Sequence, residues 1–117
     1  MRHLEDQHQE ALLAWCNLQP QLVGRIWSTP NGGKRNLREA ARLKRMGTLA
    51  GVADIFVAIP TKAFSGLFIE LKAPLPHAAR VTKHQAAFLQ RMNESGYLAV
   101  VCYGWDVARD RIIDYLK

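Results

Sequence analysis

Three apolar runs of strand length constrain this chain more than any other feature of it. Ile55-Phe56-Val57-Ala58-Ile59 is closed by Pro60, Gly66-Leu67-Phe68-Ile69-Glu70-Leu71-Lys72 is followed by Pro74 and Pro76, and residues 97–103 stop at Gly104. Runs this short, apolar and punctuated read as strands. The segments around them have helical period. Residues 4–17 place Leu4, His8, Ala11, Leu12 and Trp15 on one stripe, ended by Pro20. Residues 36–46 carry Asn36 as an N-cap and Gly47 as a stop. Thr82 caps a helix reaching about residue 94, with Ala86, Phe88, Leu89 and Met92 inward, and residues 105–116 form the last helix. Residues 24–29 are β-formers that enter the turn Pro30-Asn31-Gly32-Gly33. Helix, strand, helix, two strands, helix, strand, helix is an α/β order, with one mixed central sheet flanked by helices.

A chain of 117 residues fits a single domain over 1–117, and 49% hydrophobic with 22% charged residues is an ordinary globular composition that excludes a disordered chain. No apolar run approaches the ~20 residues that span a bilayer, and the N-terminus has no signal-peptide core. The expected location is cytoplasmic, with no membrane partner. Cys16 and Cys102 lack a Cys-x-x-Cys pair and read as reduced core thiols.

The net charge of +6 is localised. Arg25, Lys34, Arg35, Arg38, Arg42, Lys44 and Arg45 face only Glu39 between positions 25 and 45, and the charges elsewhere balance. Clustered Lys and Arg gain affinity for nucleic acid by releasing its condensed counterions. A solvated helix face is the plain alternative. The helix over 36–46 is expected to pack through Leu37, Ala40, Ala41 and Leu43 while showing Arg38, Arg42 and Arg45.

Asp54, Glu70 and Lys72 interrupt the most apolar stretches, where charge is costly unless paired or bound to a metal. A hairpin centred on Lys62 sets Asp54 opposite Glu70, and Lys72 shares the face of Glu70 by the two-residue period. Two carboxylates and one ammonium then converge. Oxygens of Asp54 and Glu70, with the Leu71 carbonyl, suit Mg²⁺ or Mn²⁺ completed by water and a substrate phosphate. A structural ion-pair cluster is the other reading.

The residues Asp54 and Glu70-Leu71-Lys72 resemble the PD-(D/E)XK nuclease signature. More narrowly, Pro30-Asn31-Gly32-Gly33-Lys34-Arg35, Gly51-Val52-Ala53-Asp54, Gly66 to Lys72, Gln85 and Val101-Cys102-Tyr103-Gly104-Trp105-Asp106 are similar, in order, to blocks of the VRR-NUC family. One departure is Ala53, where the family usually has proline; proline there shapes the backbone and donates no ligand, so activity is expected to survive. The resemblance implies a restriction-endonuclease-like PD-(D/E)XK fold. It implies Asp54 and Glu70 as metal ligands, Lys72 as the catalytic lysine, and Gln85 as a polar partner orienting Lys72 or water, against a plain capping role for Gln85. Such nucleases also carry a glutamate on the first helix. Of Glu5 and Glu10, helical projection sets Glu5 beside the buried stripe and Glu10 away from it, which favours Glu5.

The expected function is a Mg²⁺- or Mn²⁺-dependent endodeoxyribonuclease for branched DNA, with no other cofactor. Minimal members of the family resemble Holliday junction resolvases, and a four-way junction needs two symmetric cuts, so a homodimer joined by the first or last helix is expected. Asn31, Lys34, Arg35, Arg38 and Arg42 are the expected phosphate contacts. A flap or single-strand nuclease with the same site, and a catalytically idle DNA-binding module, are the alternatives. A phage or prophage source is compatible with the resemblance. His3, His8, His77 and His84 are too scattered for a zinc site, and His8 reads as a satisfied core or interface histidine. His84, Trp27, Tyr103 and Trp105 are candidate DNA contacts, with Trp27 and Trp105 expected in the core.

Overall fold

The computed structural model describes residues 2–30 and 36–117. Along the chain run α1 (Arg2–Cys16), β1 (Ile26–Ser28), α2 (Leu37–Arg45), β2 (Ile55–Val57), β3 (Leu67–Lys72), α3 (Lys83–Glu94), β4 (Leu98–Tyr103) and α4 (Trp105–Tyr115), in the expected order and of the expected types. The strands form one sheet in the order β1-β2-β3-β4. β1–β2 and β2–β3 are antiparallel and β3–β4 is parallel, joined by the α3 crossover, which makes the sheet mixed.

Alternation along the strands sorts side chains into two cores. Ile26, Ile55, Val57, Leu67, Ile69, Leu71 and Cys102 are buried with Leu12 and Cys16 of α1 and with Ala108, Ile112 and Tyr115 of α4. On the opposite face Phe68, Ala99 and Val101 pack with Phe88, Leu89 and Met92 of α3. β3 reads as nearly continuous hydrophobe because both of its faces are covered, and each such side chain contributes roughly 1.5–3 kcal/mol on burial. Burial pushes both thiols up to about 11, so both stay protonated and inert.

Four expectations are corrected. α2 has no buried residue, and Leu37 is 90% exposed; five of its nine residues are charged and two are alanine, too little apolar surface to dock a short helix. Within the helix Glu39 N donates to Asn36 Oδ1 at 2.7 Å as a cap, and Arg42 makes an exposed pair with Glu39 at 2.9 Å. Trp27 is half exposed, because β1 is an edge strand and α3 covers β3 and β4. Ala86 points to solvent from α3. β2 ends at Val57 instead of Ile59, although Ala58 N still donates to Arg25 O at 2.8 Å. His8, by contrast, is satisfied as expected: its Nδ1 accepts from Trp105 N at 3.0 Å.

Thr29 N donates to Asp54 O at 2.7 Å. The chain therefore leaves the sheet at Thr29 and re-enters it beside the same residue, and α2 lies within that excursion. The two ends of the segment that carries its basic side chains therefore meet at Asp54.

Candidate active site

The antiparallel register Ile55↔Ile69, Phe56↔Phe68 and Val57↔Leu67 is the one the sequence implies, and its continuation sets Asp54 opposite Glu70. Glu70 and Lys72 lie on the α3 face of β3 at 1% and 4% exposure. Asp54 Oδ2 accepts from Leu71 N at 2.8 Å. A strand residue sends its N–H and C=O to the same side, so the Leu71 carbonyl also leaves toward Asp54. Lys72 O faces the other way, accepting from Gly104 N.

Gln85 reaches the pair from the first turn of α3. It forms a capping box with Thr82, whose Oγ1 accepts from Gln85 N at 3.1 Å while Gln85 Oε1 accepts from Thr82 N at 2.9 Å. The same Oε1 accepts from Lys72 Nζ at 3.1 Å, and Gln85 Nε2 donates to Glu70 Oε2 at 3.1 Å. One amide thus makes the capping bond and also bonds both Lys72 and Glu70. Lys72 Nζ stands 3.7 Å from Glu70 Oε2.

The second oxygen of Glu70, Oε1, is buried and no N–H among the described residues reaches it. Burial raises the Glu70 pKa to about 8, reinforced by the charge of the neighbouring Asp54 carboxylate and a side-chain hydrogen bond with it, and opposed by Lys72. Burial also raises Glu5, with Asp54 adding to the rise and Lys72 opposing it, so the first turn of α1 lies in the field of the site. Glu10 is exposed elsewhere on α1, beside Asp6, Gln9 and Leu13.

The donors fit a hard cation: two adjoining carboxylates, one with an oxygen that no N–H among the described residues reaches, and a main-chain carbonyl, all oxygen. No three His, Cys, Asp or Glu side chains among the described residues cluster as a metal cage. Water and substrate would have to complete the shell, which is the open arrangement that catalysis on a phosphate needs.

Of the expected phosphate contacts, Arg38 and Arg42 lie exposed on α2, whereas Asn31, Lys34 and Arg35 fall outside the described residues. Arg42 Nη1 also donates to Met46 Sδ at 3.1 Å. Gly51 has a role that its place in the family block does not reveal. It has φ +85, and a Cβ there would strike the His84 carbonyl and Gln85 N at the start of α3. Glycine thus lets the segment before Asp54 lie against the helix end that carries Gln85. The one sequence signal is a glycine three residues ahead of Asp54.

The VRR-NUC domain model matches residues 3–106. The chain belongs to the VRR-NUC family. A solved structure of a VRR_NUC domain protein is 31% identical with a TM-score of 0.85, over 97% of this chain and 88% of that one. No curated protein matches. As a VRR-NUC domain the chain is a nuclease of the PD-(D/E)XK type. Ala53, in place of the usual VRR-NUC proline, is buried against α3, where a small apolar residue packs beside Phe88 and Leu89.

Proposed function

We propose that this VRR-NUC protein is a metal-dependent endodeoxyribonuclease that hydrolyses phosphodiester bonds in branched DNA, four-way junctions above all, as a homodimer. The observation that carries the reading is Glu70, buried against the Asp54 carboxylate, with an Oε1 that no N–H among the described residues reaches. A structural ion-pair cluster would satisfy that oxygen; a cation site leaves it for the ligand.

Asp54, Glu70 and the Leu71 carbonyl would hold Mg²⁺ or Mn²⁺. When bound there, such a cation would supply Lewis-acid polarisation and a more acidic water. Lys72, fixed by Gln85 Oε1 and Glu70 Oε2, orients or deprotonates the attacking water, or neutralises charge on the five-coordinate phosphorus. A new P–O bond forms from water, one P–O ester bond breaks, and the leaving alkoxide takes a proton. Glu5 adds negative charge at the edge of the site. The cationic excursion that starts and ends at Thr29 and Asp54 holds flanking phosphates through Arg38 and Arg42, joined by Asn31, Lys34 and Arg35. Such contacts read DNA shape and charge rather than base edges.

Two aligned sites would come from a second copy. α4 favours this: Val107 and Ile113 are exposed on it beside β4, an open edge strand, with Asp110, Asp114, Arg111 and Lys117 around them. Mixed charges around an apolar centre can complement themselves across a twofold axis. The outer face of α1, by comparison, carries the acidic pair Asp6 and Glu10.

The test is a panel of four-way, flap, single-stranded and linear duplex DNAs incubated with Mg²⁺ or Mn²⁺. Symmetric cuts in the four-way DNA are expected. Preferential cutting of flaps or single strands would move the assignment to that substrate with the same chemistry, and no cutting of any DNA would favour a DNA-binding module.

A further inference from the structure

The sheet face that carries Asp54 and Glu70 continues, one side-chain step along β2 and β3, into an aromatic row that the chemistry above does not use. Trp27 pairs with Phe56, and Phe56 with Phe68, so all three point to the face of Asp54 and Glu70. Their rings touch in sequence, 5.3 Å from Trp27 to Phe56 and 4.4 Å from Phe56 to Phe68. Phe68 is closed over by Phe88 and Tyr97, at 5.2 and 5.3 Å. Trp27 is not closed over: it is 49% exposed, and Phe56 is its one ring neighbour among the described residues.

Position gives the exposed indole its meaning. The rise of a strand puts Phe56 and Asp54 about 7 Å apart, the scale of one nucleotide from phosphate to base. Trp27 is opposite Phe56, and Thr29, two residues on, is bonded to Asp54. Arg25, exposed and two residues before the indole, shares its face by the two-residue period, so one positive charge borders the aromatic surface. A flat ring on a fixed support, bordered by a cation and next to an acidic pair, is the arrangement that takes a base by its face and its backbone by charge.

We propose that Trp27 is a stacking platform for a nucleobase with an open face adjoining the scissile phosphate. The proposal rests on the nuclease reading and deepens it. In continuous duplex both faces of a base are covered by its neighbours, so the indole finds a free face only at a branch point, an end or a displaced strand. Trp27 thereby favours branched over linear DNA without reading sequence. It is a binding and positioning residue and takes no part in the bond-breaking step.

The test is single-turnover cleavage of a four-way DNA by the full chain, after the cut site has been mapped. Wild type, Trp27→Ala and Trp27→Phe are compared on intact DNA and on DNA with an abasic residue next to the cut. Trp27→Ala is expected to raise the half-saturating DNA concentration roughly 10-fold on intact DNA and to change nothing on abasic DNA, with Trp27→Phe in between. Wild type itself should lose the same factor on abasic DNA, a comparison that holds even if Trp27→Ala folds poorly. Equal loss on both DNAs, or no abasic penalty for wild type, overturns the stacking role while leaving the nuclease standing. Failure of wild type to cut any DNA removes both readings.

Discussion

Glu70 concentrates the energetic cost of this site in one side chain. Its pKa is raised from the ordinary carboxylate value of 4.5 to about 8 by burial and by Asp54. Between those values the folded, metal-free chain binds more protons at this position than the unfolded chain, so stability contributed by protonation is complete below pH 4.5 and is lost as pH rises toward 8. Thermal melts in EDTA should show a falling midpoint over that window, flattened by Glu70→Gln; a midpoint that rises with pH and ignores the substitution would exclude the shift. Gln85 permits a second separation. Thr82→Ala removes the cap of α3 and is expected to cost about 1 kcal/mol by denaturant titration with cleavage retained. Gln85→Ala removes the cap partner and also the hydrogen-bond partner of Lys72 and Glu70, so cleavage should fall at least roughly 10-fold as well. Equal activity in the two variants would reduce Gln85 to a capping residue.

At the scale of elements, the hairpin was legible and the packing around it was not. Pro60 and Gly66 bracket the turn tightly enough that one register satisfies both apolar patterns, and that register brings Asp54 to Glu70. The exposure of Trp27 depends on β1 lying at the sheet edge, which no local pattern encodes. The α2 pattern looked amphipathic, yet Leu37, Ala40, Ala41 and Leu43 offer too little surface to dock. The double substitution Arg38→Glu and Arg42→Glu should therefore change stability by less than about 0.5 kcal/mol. It should weaken binding to every DNA and flatten the logarithmic salt dependence by about 2, near 0.9 for each phosphate no longer neutralised. An unchanged salt slope would remove α2 from the DNA surface. Gly51 was equally silent, because the carbonyl it accommodates belongs to His84, far along the chain. Gly51→Ala should destabilise the fold well beyond Gly24→Ala, since Gly24 shares the positive φ but has open space around it. Urea midpoints of the two variants measure the difference.

Across the whole molecule, one mixed sheet separates two tasks. The α1 and α4 side supplies most of the apolar core, while the α3 side carries the acids, the lysine, the glutamine and the aromatic row, with the cationic excursion tethered at Asp54. No helix of the described residues is long and apolar enough to cross a membrane. The proposed twofold through α4 makes its own prediction. Ile113→Lys should convert a dimer to a monomer in sedimentation equilibrium and replace paired cuts in four-way DNA by single nicks, whereas an unaltered dimer would move the interface away from α4. Beneath these readings lies one claim, that Asp54 and Glu70 are a cation site and not a buried ion-pair cluster. Calorimetric titration of Mn²⁺ tests it without DNA. Saturable binding to the wild type that Asp54→Asn abolishes, in a variant that still melts cooperatively, is the predicted result; equal binding by both proteins, or none by either, would contradict it.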